Sequence, residues 1–174
     1  MRKQFVAACL FAVASFAAAQ MPEMPKPGPE QAKMKYFVGD WKTEADVKAG
    51  PMGPGGKYTS TDHAKMLGDF FVNIVSEGQV AGSNFTSNSM MAYDPKESAY
   101  TYDEYNSMGM HDVSKGTVSG DTWTWTSDMD MGGKTMHGRF TMNIVSPTSY
   151  TFKYEMSEDG KNWTSAMEGK STKM

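Results

Sequence analysis

The sequence predicts an all-β fold: a single antiparallel up-and-down barrel of about ten strands with a short N-terminal helix. Three observations carry that expectation. From Trp41 onward, short runs rich in Thr, Tyr, Trp, Val and Phe alternate with turn clusters of Gly, Asn, Asp and Pro. Within the runs, apolar residues recur with period two. Met136, Gly138, Phe140, Met142 and Ile144 fall on one face, and Thr135, His137, Arg139, Thr141 and Asn143 on the other. Finally, nearly every connection is short enough for a hairpin, so neighbours in sequence should pair, and a long meander hides both of its edges only by closing on itself. A two-sheet sandwich would give similar stripes and is the lesser alternative.

At the N-terminus, Arg2 and Lys3 precede an apolar run from Phe5 to Ala18, with small residues at Ala17-Ala18-Ala19. This is the pattern of a secretory signal peptide cleaved after Ala19. Val6-Ala7-Ala8-Cys9 has the form of a lipidation box, but the apolar run continues past Cys9, which argues against lipidation. The expected organisation is a signal peptide over 1–19, a proline-rich linker over 20–32 and a barrel domain over 33–174, exported to the periplasm or secreted. No later run is apolar enough to span a bilayer as a helix, so no membrane insertion of the mature chain is expected.

Pro29 suits a first helical turn and Gln31, Ala32, Lys33 and Met34 favour helix, so a short helix is expected over Glu30–Phe37. The predicted strands then follow in order: Asp40–Ala49, Lys57–Leu67, Phe70–Gln79, Phe85–Tyr93, Ala99–Asn106, Met110–Val118, Thr122–Met129, Lys134–Val145, Thr148–Met156 and Asn162–Thr172. Gly50–Gly56 reads as a flexible loop. Asp94-Pro95-Lys96-Glu97, Ser119-Gly120-Asp121, Gly132-Gly133 and Glu158-Asp159-Gly160-Lys161 read as turns.

Composition narrows the functional classes. Cys9 is the only cysteine and lies in the leader, so the domain must rest on core burial alone. The chain has 17 Lys and Arg against 20 Asp and Glu; without Arg2 and Lys3 the balance is 15 against 20, a net charge near −5. With Arg139 as the one remaining arginine and no basic block, nucleic acid is not an expected partner. No cofactor is implied, and the sequence gives no oligomeric state.

Lys35-Tyr36-Phe37-Val38-Gly39-Asp40-Trp41 resembles the Gly-x-Trp opening of calycin barrels, in which a short helix closes one end and the Trp begins the first strand. Further matches are Met91-Ala92-Tyr93-Asp94, Tyr105-Asn106-Ser107-Met108-Gly109, Lys115-Gly116 and the run Glu155–Trp163. Together they resemble a lipocalin-like family of exported bacterial proteins catalogued only as a domain of unknown function. The resemblance extends from about Lys33 to Met174. It implies about ten antiparallel strands, related in fold to nitrobindin and fatty-acid-binding barrels, and no established activity. None of His63, His111 and His137 matches the proximal histidine of nitrobindin.

A barrel of this size holds a small ligand if side chains do not fill it. Candidate lining residues are Trp41, Tyr93, Tyr105, Trp123, Trp125, Phe140 and Tyr154, whose hydroxyl and indole groups would orient an apolar or amphipathic molecule. The alternative is that these aromatics fill the core, leaving a structural or interaction module, and the sequence leaves both open. Methionine offers a third reading: 17 residues, with leucine nearly absent. If the hairpin turns at Gly120 and Gly132-Gly133 set the register, His111, Met129 and Met136 form one row, a soft ligand set suited to Cu(I). The competing explanation is that Met simply replaces Leu in the core, and a slip of one residue would break the row.

No enzymatic activity is expected. Gly116-Thr117-Val118-Ser119-Gly120 has the wrong spacing for a nucleophile elbow, and the three histidines lack paired zinc-ligand spacing. Asp128–Arg139 places an arginine where a calcium loop needs its closing glutamate. Asp103 and Glu104, adjacent in a strand, point to opposite faces; Glu104 could face the interior beside Tyr102, but exposure is the favoured expectation. Arg139 is expected to face outward with His137 and Thr141.

Overall fold

The computed structural model describes residues 25–51 and 53–174; the expected signal peptide lies outside the described residues. The chain enters through helix α1 (Pro29–Met34) and a 3₁₀ turn (Lys35–Phe37). Pro29 begins the helix where its missing N–H is not needed, and the Gln31 side chain accepts from the Gly28 N–H at 2.8 Å. Helix and turn bury Met34 and Phe37 and leave Lys33 and Lys35 outside.

Ten strands follow: β1 (Gly39–Val47), β2 (Gly56–Leu67), β3 (Phe71–Val80), β4 (Ser83–Asp94), β5 (Ala99–Asn106), β6 (His111–Ser119), β7 (Thr122–Asp130), β8 (Thr135–Ser146), β9 (Ser149–Ser157) and β10 (Thr164–Lys173). Each pairs antiparallel with the next, and β1 pairs with β10 from Trp41↔Lys173 to Val47↔Met167, closing the barrel. Among the described residues, no helix is long and apolar enough to cross a membrane.

Three local differences from the sequence expectation have physical causes. The turn between β3 and β4 is tighter than expected. Val80 pairs with Ser83, and Ala81 and Gly82 both take positive φ (50° and 83°), so a two-residue hairpin forms despite the Cβ of Ala81. The last strand begins at Thr164 rather than Asn162, because Asp159 accepts from the Lys161 and Asn162 N–H groups and from the Asn162 amide, holding that stretch as a loop. Between β6 and β7 the turn is Gly120-Asp121, flanked by Ser119↔Thr122.

The barrel interior falls into two halves. The helix end is filled by rings: Trp123 packs against Phe37 at a centroid distance of 5.0 Å and against Tyr100 at 4.7 Å, and Trp41 packs against Tyr150 at 5.2 Å. Trp41 donates its indole N–H to the Phe37 carbonyl at 2.7 Å, and Tyr100 donates its hydroxyl to Glu30 at 2.6 Å, so helix and wall are stitched together. Beyond this plug, inward positions turn small and polar, among them Ser60, Ser76, Ser87, Ser89, Ser114 and Ser171.

Candidate functional site

Alternation along each strand decides which side chains reach the interior. On β5 the inward set is Tyr100, Tyr102 and Glu104; Thr101, Asp103 and Tyr105 point out. Ser89 on β4 and Asp112 on β6 are the cross-strand partners of Glu104 and share its face. Asp62 on β2 lies between Trp41 of β1 and Ser76 of β3, both buried.

Two hydrogen-bonded chains form a belt around the interior. In the first, Tyr102 donates to Ser89 Oγ at 2.9 Å, and Ser89 donates to Glu104 Oε2 at 3.4 Å, with the Tyr102 hydroxyl 3.4 Å from the same oxygen. In the second, Asp62 accepts from Thr43 at 3.0 Å and from Ser60 at 2.9 Å. It is extended by Thr43 to Ser171 and Tyr150, and by Ser60 to Tyr58.

The electrostatics of this belt are one-signed. Burial raises the Glu104 carboxyl above its ordinary value, although hydrogen bonds from Tyr102, Asn106 and Ser89 partly oppose the rise. Burial pushes the Tyr58 and Tyr154 hydroxyls up to about 12, and those of Tyr102 and Tyr150 also rise; the nearby carboxylates of Asp62, Glu104 and Asp112 add to these shifts. Lys173, on the inward face of β10, is held at the plugged end. It donates to the Tyr36 carbonyl at 3.2 Å and lies 5.0 Å from the Trp41 ring. Arg139 is outside, donating to Glu155 at 2.8 Å and stacked 4.1 Å over Trp163.

The structure distributes the predicted lining residues unevenly. Trp123 and Trp125 belong to the packed core cluster and Tyr93 borders it, while Trp41 is buried at the helix end against Tyr36 and Tyr150. Phe140 borders the same cluster, stacked on Phe152 at 5.1 Å, and Tyr154 lies beyond it, its hydroxyl pointing to the Met129 sulfur at 3.8 Å. Tyr105 does not line the interior. It is 56% exposed and stacks flat on His111 at 4.2 Å, because it stands one residue out of phase with Tyr102 and Glu104. Glu104, expected outside, is inside for the same reason.

The His111, Met129, Met136 row does not form. Met129 and Met136 are cross-strand partners, as the Gly132-Gly133 turn requires. The two-residue turn at Gly120-Asp121 shifts β6 by one position, so His111 points outward and binds Asp103 at 2.7 Å. Among the described residues, no group of three or more His, Cys, Asp or Glu is placed to hold a metal ion.

Sequence reasoning missed Tyr58, Asp62, Tyr102, Glu104 and Tyr150 as a set. A usable signal was present on β5, where Tyr100-x-Tyr102-x-Glu104 has the same spacing as Thr101-x-Asp103-x-Tyr105, and only the register of β4 and β6 separates the two faces. Two shallow, solvent-open grooves also lie on the barrel, about 370 Å³ beside Val75, Asn88 and Tyr105, and about 420 Å³ beside Thr61, Gln79 and Phe85.

A closed ten-strand meander with a helical plug and a hydroxyl-rich interior is a lipocalin-like barrel. The chain belongs to the family described as protein of unknown function DUF1579, whose model matches residues 26–173. Among solved structures, Rv2717c from M. tuberculosis aligns with a TM-score of 0.62 at 11% identity, covering 86% of this chain and 99% of its own. The S-type phycobiliprotein lyase CPES from Guillardia theta aligns with a TM-score of 0.60 at 9% identity, covering 83% of this chain and 92% of its own. At these identities the likeness is one of fold. No curated protein matches the chain.

Proposed function

We propose that this protein is an exported, non-enzymatic carrier that holds a small amphipathic molecule inside the barrel, with the molecule's polar end a hydrogen-bond donor or protonated nitrogen. The observation that carries this reading is Glu104: an inward carboxyl whose partners are the hydroxyls of Ser89 and Tyr102 and the Asn106 side chain, with no lysine or arginine paired to it among the described residues. A carboxylate-headed ligand would add a negative charge next to Glu104, Asp62 and Asp112, and like charges at short range in a partly desolvated site repel. A donor head replaces water at Glu104 and Tyr102, while Phe140, Met129, Met136 and Tyr154 offer apolar surface to the tail.

Absence of catalysis is supported by the placement of the imidazoles. His63, His111 and His137 all stand outside, each within 2.6–2.7 Å of an aspartate, away from the interior hydroxyls. Export is supported by the pattern of residues 1–19.

Native mass spectrometry of the protein made in an exporting host tests the reading. The sample is mixed with equal amounts of dodecylamine, dodecanol and dodecanoate. The expected result is a chain beginning at Gln20 with one bound amine or alcohol. Preferential binding of dodecanoate, or no adduct with any of the three, overturns the carrier reading; an uncleaved chain overturns export.

A further inference from the structure

The wall of the barrel is not zipped to equal length everywhere. Strands β6 and β7 leave their shared turn as a regular ladder, from Ser119↔Thr122 to Lys115↔Thr126, and then their pairing stops. Both strands continue. His111–Ser114 pair with β5 alone, through Tyr105↔His111 to Tyr102↔Ser114. Ser127–Asp130 pair with β8 alone, through Ser127↔Gly138 to Asp130↔Thr135. At this last rung the Lys115 carbonyl also accepts from the Thr126 side chain at 3.5 Å. Four residues on each side therefore present one backbone edge to a split in the wall.

This split opens on the part of the interior that carries the chemistry. Its inner margin holds Asp112, the cross-strand partner of Glu104, and Ser114 on one side, and Ser127 and Met129 on the other. Tyr154 lies behind it: a Cβ placed on Gly138 would come within 2.6 Å of the Tyr154 hydroxyl and 3.1 Å of Ser127 Oγ, so that ring crosses the wall at this height. The helix end is plugged by Met34 and Phe37, and at the opposite mouth Tyr58 stacks on Phe85 at 5.4 Å. Outside the split, Val113, Met108 and Met110 are each about half exposed and form an apolar patch beside the exposed His111, Asp128 and Asp130.

We infer that the split between β6 and β7 is the passage through which an amphipathic ligand reaches Glu104, with the Tyr154 ring as the side chain it displaces and the Val113–Met108–Met110 patch as the surface its tail first meets. The inference rests on the carrier reading above. Backbone groups along the split need not break a ladder for the passage to widen, because those rungs are absent in the resting barrel.

The test closes the split chemically. Continuing the hairpin register places Val113 opposite Asp128, and both point outward. In a Cys9→Ser background, Val113→Cys together with Asp128→Cys can be joined by oxidation, or by a short bis-maleimide where the sulfurs lie too far apart; intact mass confirms the link. Binding of dodecylamine is followed by stopped-flow fluorescence of Trp123 and Trp125. Joining the strands should slow association and dissociation by about tenfold or more, as expected when a gating motion is blocked, and reduction of the disulfide should restore both rates. Linked protein that binds and releases dodecylamine at the unlinked rates overturns the passage while leaving the carrier reading intact. Unlinked protein that binds no dodecylamine overturns the carrier reading itself.

Discussion

Glu104 concentrates the chemistry of this molecule at one residue. Its carboxyl is raised because burial penalises the charged form more than the surrounding hydroxyls favour it. The stability consequence has a definite sign. A carboxyl whose folded-state value is raised contributes stability that is complete below the ordinary carboxylate range and is lost as pH rises through the raised value. Glu104→Gln keeps the shape and an accepting oxygen but cannot ionise. The variant should therefore be more stable than wild type at about pH 8, and the difference should shrink toward zero on acidification to about pH 4. Urea unfolding across that range measures it; a difference that does not vary with pH would show that Glu104 is not desolvated. Residue identity also explains what the sequence hid. Tyr105 and Tyr102 are the same amino acid three positions apart, and only strand phase puts one on solvent and the other on Ser89.

At the scale of elements, the wall is organised around rings laid over glycines. Gly116 is the cross-strand partner of Trp125, and a Cβ there would meet the indole at 2.5 Å; Gly169 stands likewise against Phe152, at 2.7 Å. Gly116 sits in an ordinary strand conformation, so its glycine serves close approach rather than an unusual φ. Gly116→Ala should cost roughly 1–3 kcal/mol by overpacking and shift the tryptophan emission. Unchanged stability and emission would mean that Trp125 does not lie on that glycine. Strand existence and order were readable because period-two alternation and turn residues are local signals. Registers were less so: Gly132-Gly133 fixed the Met129↔Met136 pair correctly, whereas one residue of ambiguity around Gly120 moved His111 to the other face of the sheet.

For the whole molecule, closure of the barrel was legible because ten short-connected strands have no other economical way to hide their edges. The division of its interior was not, since it arises from which rows of side chains end up level with one another across ten strands. Aromatic residues gather with Phe37 at the helix end, while the serines, Asp62, Glu104 and four buried tyrosine hydroxyls gather beyond it. The central claim is that this polar half is where a donor-headed amphipath binds. The most direct measurement is a two-dimensional ¹H–¹⁵N NMR titration of the protein with dodecylamine. Saturable shifts at the amides of Ser89, Tyr102, Glu104 and Ser114, converging at one equivalent, are the predicted result. Shifts confined to outer-surface amides such as Tyr105, Met108, Met110 and Val75, with the interior rows unmoved, would contradict it.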